Sequence, residues 1–227
     1  MVEPEHGVSA AGRQFNDAVT RFWSAAAPLY DLAVLQRLVY RPAQDEVLSA
    51  LRNHEALSIL LAQGAGQVAD IACGTGVLAD RIQTELHPDE VYGVDMADGM
   101  LEQARARSSA VRWRKAPAEQ LPFADGSLDA VVSTTAFHFF DQPAAMREFH
   151  RVLAPGGIAA VATISPPLPA PLRRLSANPA NPAHNPSPAE MRTLFADAGF
   201  TLTRQNRVNR PLWTRGVWDL ITVGTKP

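Results

Sequence analysis

From about residue 64 onward, short apolar runs alternate with segments whose apolar positions recur every three or four residues. The runs Gln67–Ala72, Val91–Asp95, Val111–Lys115, Leu128–Ser133 and Ile158–Thr163 are rich in Val, Ile and Ala and predict strands. Val77–Leu86, Asp98–Arg107 and Pro143–Leu153 lie between them and predict helices. Pro155-Gly156-Gly157 then enforces a stop and a turn. A further helix is expected over Pro188–Ala198, ended by Gly199, with two last strands at Thr201–Val208 and Val217–Thr225. Strands that alternate with helices make βαβ units. The fold class is therefore α/β, a doubly wound and mostly parallel sheet of seven strands with helices on both faces.

Two stretches depart from this rhythm. Gly12–Gln63 is helical in pattern, with Val47, Leu48 and Leu51, then Leu57, Leu60 and Leu61, on one face. It predicts an N-terminal helical extension or cap over 1–63, leaving 64–227 as one structural unit. Between Pro166 and Pro188 stand eight prolines, which exclude any continuous helix or strand. Leu168–Leu175 is expected to cover the acceptor site as a lid, with Ser176–Pro188 as its tether.

The 227 residues suffice for one large core. A net charge of -2 gives no footprint for nucleic acid, and none is expected as a partner. The basic cluster Arg112, Arg114 and Lys115 reads as a solvated strand edge with Trp113 turned inward. A single cysteine, Cys73, excludes an intrachain disulfide and a thiolate metal site. No metal is expected. No apolar run approaches the roughly 20 residues that span a bilayer, and no signal peptide is recognised. A cytoplasmic protein is expected.

The chemistry concentrates in Val68-Ala69-Asp70-Ile71-Ala72-Cys73-Gly74-Thr75-Gly76-Val77-Leu78-Ala79. A strand ends, glycines one residue apart make a tight turn, and a helix begins with unpaired N–H groups. Gly74-x-Gly76-x-x-Ala79 also fits a dinucleotide fingerprint, so an NAD-dependent oxidoreductase stays open. Asp70 weighs against it, because a carboxylate there repels a pyrophosphate and suits an ammonium. Asp95, 19 residues beyond Gly76 at the end of the next strand, is placed to hold ribose hydroxyls of either cofactor. As a strand-end carboxylate it is expected to matter little for stability.

With these motifs in hand, the chain from about Tyr30 onward resembles the class I S-adenosylmethionine-dependent methyltransferases, in the branch with compact type-11 domains. Asp70-x-Ala72-Cys73-Gly74-Thr75-Gly76 looks like the family's first motif, and Val94-Asp95-Met96-Ala97-Asp98-Gly99-Met100-Leu101 its second. Ala118-Glu119-Gln120-Leu121-Pro122-Phe123 resembles the stretch beside the adenine, and Ser127–Ser133 the fourth strand. Arg147–Gly157 resembles the helix and turn before the fifth. The resemblance implies S-adenosylmethionine as cofactor. Gly74 and Gly76 would approach its methionine part, with Ala72 in the same loop, and Asp70 would take its ammonium. Asp95 would hold the ribose, Met96 would pack on the adenine, Ala118 and Glu119 would flank its edge, and Thr134 would lie under the sulfonium. Tyr30 resembles a tyrosine that closes over the cofactor. Lys115-Ala116-Pro117 departs from the family's pattern, where an acidic residue often stands.

Methyl transfer from a sulfonium needs alignment and exclusion of water more than acid–base help. If the acceptor is a hydroxyl, His138 in Thr134-Thr135-Ala136-Phe137-His138-Phe139-Phe140 is the candidate base, at the carboxyl edge of the sheet. Phe137, Phe139, Phe140, Trp23 and Trp213 suggest an apolar lining. A small, apolar or amphipathic acceptor is expected, with a non-catalytic cofactor-binding module as the other alternative.

Overall fold

The computed structural model describes residues 18–25, 27, 36–167, 184–214 and 216–227. Tyr30 and the expected lid Leu168–Leu175 lie outside them, as do the tether's residues up to 183 and the Trp213 side chain.

A helical segment at 18–25 comes first. A π-helical turn, Gln36–Tyr40, runs straight into α1 (Arg41–Arg52), followed by α2 (Glu55–Ala62). The alternating part gives β1 (Gln67–Ile71), α3 (Val77–Leu86), β2 (Glu90–Asp95), α4 (Asp98–Arg107), β3 (Arg112–Lys115), β4 (Leu128–Thr134), α5 (Gln142–Val152) and β5 (Leu153–Ile164). The chain ends with α6 (Pro188–Asp197), β6 (Thr201–Arg207) and β7 (Asp219–Thr225). α6 starts on a capping box in which Ser187 and Glu190 satisfy each other's backbone N–H.

The seven strands run in the order β3-β2-β1-β4-β5-β7-β6. β1 to β5 are parallel, and β7 runs antiparallel between β5 and β6. The order reverses between β1 and β4, so the crevice beyond their carboxyl ends is where a doubly wound sheet binds its ligand.

Alternation along the strands divides the core in two. Ile158, Ala160 and Ala162 face Val47, Leu48, Leu51 and Ile82, while Ala159 and Val161 face Phe149, Phe195 and Met146. Both faces are covered, which is why these strands read as unbroken apolar runs. Val47, Leu48 and Leu51 are fully buried in the first core. Residues 41–62 are thus part of the main core, and the expected boundary at residue 63 does not mark a gap between two packed bodies.

Candidate active site

The loop after β1 is built on left-handed backbone. Ala72, Gly74 and Gly76 have φ of 55°, 55° and 79°. Alternate residues of this sign fold the chain back so that Gly74 donates its N–H to Asp95 Oδ2 at 2.9 Å and Cys73 its own to the Val94 carbonyl at 3.0 Å. Gly76 is the N-cap of α3, but it does not line the cleft. A Cβ there would stand 2.4 Å from Trp113 Cη2. The indole covers Gly93 equally closely and donates from Nε1 to the Ser108 carbonyl at 2.9 Å. Gly76 is therefore needed for the close fit of Trp113. The inward turn of Trp113 is as anticipated. Its basic neighbours pair within the chain, Arg112 with Glu90, Lys115 with Asp98, and Arg114 over the Tyr92 ring.

Two carboxylates differ sharply in surroundings. Asp95 closes β2 with Oδ1 accepting from the Ala97 N–H at 2.8 Å and Oδ2 from Gly74. Burial raises its pKa, and these amides oppose the rise. Asp70 is 1% exposed, and neither of its oxygens has a hydrogen-bond partner. Burial first and the Asp95 charge second hold its pKa well above the usual carboxylate range, and the Ala79 N–H, near the carboxyl but outside hydrogen-bond geometry, opposes them only in part. Asp70 lies behind the loop, off the cleft wall.

The cleft at the switch point encloses about 1030 Å³ of space, part of it open to solvent. Ala72, Gly74, Asp95, Met96, Ala118, Glu119 and Thr134 all line it. Glu119 accepts from the Asp141 N–H at 2.8 Å, and burial raises its pKa. The loop that carries Ala118 and Glu119 is fixed from α5. Glu148 accepts the Leu121 N–H, and Arg151 donates to the carbonyls of Leu121 and Phe123.

The same cleft has an apolar lining made by Val19, Trp23, Tyr40, Phe139 and Phe140. The segment 18–25 reaches it by crossing α4 at Gly99, where a Cβ would meet the Ser24 carbonyl oxygen at 2.4 Å. Trp23 then meets Phe139 edge-on with ring centres 6.2 Å apart. Tyr40 was not singled out by the sequence reading. The only hint was Pro42, which marks an irregular helix start. Phe137 proves to be fully buried core and not lining.

His138 does not line the cleft either. It sits in a 3-10 turn, Phe137–Phe139, which sends successive side chains in different directions, so Phe139 faces the cleft and His138 turns away. Its ring packs against Phe139 at 4.0 Å between centres. Nδ1 is buried without a partner, and burial lowers the pKa to about 4. Among the described residues no cluster of metal-ligating side chains occurs, and no helix is long and apolar enough to cross a membrane.

Residues 69–161 match the sequence profile of a methyltransferase domain family. Residues 69–161 thus form a class I S-adenosylmethionine-dependent methyltransferase domain. It is 38% identical over 151 residues to a demethylmenaquinone methyltransferase of Thermus thermophilus, an alignment covering 64% of this chain and 65% of that one. Over 167 residues it is 32% identical to a malonyl-[acyl-carrier protein] O-methyltransferase of Dechloromonas aromatica, covering 70% and 62%. The alignments thus span a little under two thirds of these relatives' length. The magnesium protoporphyrin IX methyltransferase of Synechocystis PCC 6803, solved with bound S-adenosylhomocysteine, superposes with a TM-score of 0.67 at 16% identity. That superposition covers 93% of this methyltransferase and all of the other chain, and it supports the shared fold.

Proposed function

We propose that this methyltransferase binds S-adenosylmethionine at the β1–β4 switch point and transfers its methyl group to a neutral, apolar small molecule, with a quinol-like ring as the favoured class. One observation carries the reading: the described cleft wall offers two carboxylates, Asp95 and Glu119, and no cationic side chain. Such a wall suits a cofactor bearing a sulfonium and an ammonium. It opposes the pyrophosphate of NAD, and it gives a malonyl carboxylate nothing to pair with. The relatives act on a demethylmenaquinone in one case and on a malonyl carrier in the other. The wall favours the first chemistry.

The residues fit the cofactor on their own terms. A sealed carboxylate with both oxygens unpartnered is costly until a donor or a cation arrives, and Asp70 is in that state. Asp95 uses one lone-pair site of each oxygen on a backbone N–H, which leaves acceptor capacity for two hydroxyls. Met96 is 39% exposed at the cleft, a polarizable face for an adenine. When bound, the cofactor supplies an electrophilic methyl group and its own leaving group, a neutral thioether. The chain aligns the acceptor against the Trp23 and Phe139 pair and keeps water out with the same rings. A proton released by the acceptor has the cleft carboxylates, both made more basic by burial, as its nearest described bases.

Calorimetry with S-adenosylhomocysteine and NAD tests the cofactor, and label transfer from S-adenosylmethionine to a naphthoquinol and to a malonyl thioester tests the acceptor. S-adenosylhomocysteine is expected to bind, and the naphthoquinol to be methylated in preference. Tighter binding of NAD, or preference for the malonyl thioester, overturns the corresponding half.

A further inference from the structure

Arg210 and Asp219 form an ion pair sealed in the protein, with side chains 2% and 1% exposed. Arg210 Nε donates to Asp219 Oδ1 at 2.7 Å, and Nη2 pairs with Oδ2. The guanidinium has donors left over. Nη1 donates to the Leu38 carbonyl at 3.0 Å and Nη2 to the Val39 carbonyl at 2.7 Å. These two carbonyls belong to the π-helical turn Gln36–Tyr40. For Leu38 one reason is local: Pro42, four residues on, has no N–H to give that carbonyl in the ordinary helical pattern.

The next residue after Val39 is Tyr40, which lines the cleft. A second tether acts about two turns further along, where Glu46 pairs with Arg204 and accepts the Asn209 N–H at 3.3 Å. β6 and the connection that follows it thus hold the π-helical turn and α1 at two points, across 158 to 172 residues of chain. A buried ion pair is weak evidence for stability, since desolvation offsets much of its attraction, and its better-attested use is to fix one arrangement over another.

We propose that Arg210, oriented by Asp219, is a positioning residue for the cleft: it holds the π-helical turn so that Tyr40 faces the bound cofactor. It acts through Tyr40 and touches no ligand itself. The proposal rests on reading this cleft as the cofactor site. Wild-type binding of S-adenosylhomocysteine, and its weakening in Asp95→Ala, tests that reading separately.

The experiment is a double-mutant cycle read by S-adenosylhomocysteine titration of the full chain. Arg210→Lys keeps the charge but lacks the fork that reaches two carbonyls and a carboxylate together. It is expected to weaken binding by about threefold to thirtyfold, the span of mutations that act through an intervening network. In a Tyr40→Ala background the same change is expected to alter affinity by less than about twofold, because sites that act through one contact do not add. Pro42→Ala, which returns an N–H to Leu38, is expected to recover part of the Arg210→Lys loss. A purely structural ion pair would lower melting temperature without this coupling. Wild-type affinity in folded Arg210→Lys overturns the proposal, and so does a full additive loss in the Tyr40→Ala background. If Arg210→Lys does not fold, Asp219→Asn, which removes the charge that orients the guanidinium on the two carbonyls, runs through the same cycle with the same criteria.

Discussion

The wall made by Ala72, Gly74, Asp95 and Met96 and the wall made by Val19, Trp23, Tyr40 and Phe139 line one cleft, yet different forces hold them. The first is backbone work. Left-handed residues, amide bonds to Asp95 and the ends of β1 and β2 fix it, all within 25 residues of sequence. The second is assembled from three distant stretches by ring contacts and by carbonyls gripped from Arg210. A wall held by its own strand ends is stiff and polar. A wall held by side chains from elsewhere is apolar and replaceable, which is where variation in the acceptor is accommodated most cheaply.

Asp95→Ala is the strongest way to break this contrast. Hydrogen bonds to a charged acceptor contribute about 1.5–3 kcal/mol each, so losing two ribose contacts weakens S-adenosylhomocysteine binding by at least roughly tenfold. The sequence alone suggested little effect on stability, and the structure corrects that. Asp95 also satisfies the Gly74 and Ala97 N–H groups, and a buried donor left unpaired costs about 1–3 kcal/mol. Melting temperature is therefore expected to fall as well, by about 2–4 °C for each kcal/mol lost. Unchanged affinity by calorimetry removes Asp95 from the site, and unchanged melting temperature removes it from the frame of the loop.

Trp23→Ala makes the complementary cut. Edge-on ring pairs are worth about 0.5–1.5 kcal/mol beyond their buried area, and Trp23 meets both Phe22 and Phe139 this way. KM for a naphthoquinol is expected to rise about tenfold, with S-adenosylhomocysteine affinity within about twofold of wild type. Equal losses on both ligands would mean that the two walls are not separable.

How far each wall was legible follows from the same difference. The backbone wall announces itself, because a left-handed turn needs small residues at fixed spacing and a strand-end acid at a fixed distance. Hence the place of Gly74, Asp95, Met96, Ala118, Glu119 and Thr134 at the cleft could be read, and the helices Val77–Leu86 and Asp98–Arg107 match to the residue. The role of Gly76 could not, since only the folded chain brings Trp113 onto it. Tyr40, Arg210 and Asp219 carry no local pattern, and the contacts that give them meaning span up to 172 residues. His138 fails for a finer reason. Its place after β4 is as read, but the 3-10 turn rotates it off the cleft, a matter of one residue in phase.

His138→Gln sharpens the boundary of the apolar wall. Burial depresses the imidazole pKa from 6.5 to about 4. A depressed pKa gives stability that is complete above the unfolded value and is lost as pH falls through the folded one. Wild type is thus expected to weaken progressively from about pH 6.5 down to 4, and the variant to lose that component of acid sensitivity in denaturant titrations. Turnover at neutral pH is expected to stay within a few-fold, because the ring does not line the cleft. A drop of about 10²-fold, the scale of a lost general base, would restore His138 to the catalytic role the sequence suggested.

The smallest effect tests whether the backbone wall is strained where its motif departs from glycine. Ala72 holds φ at 55°, a conformation that costs a residue with a Cβ about 1–2 kcal/mol. Glycine has no such penalty but loses about 0.5–1 kcal/mol more conformational freedom on folding. The difference leaves Ala72→Gly more stable by about 1 kcal/mol or less, a rise of at most roughly 2–4 °C in melting temperature. Its methyl group lines the cleft, so its removal slightly enlarges the space beside Gly74 while leaving the amide bonds to Asp95 in place. S-adenosylhomocysteine affinity is then expected to change by less than about threefold, under 1 kcal/mol. A fall in melting temperature would show that the methyl packs well enough to outweigh its backbone strain. In that case the wall owes part of its rigidity to side-chain contact, and the contrast between the two sides of the cleft is one of degree.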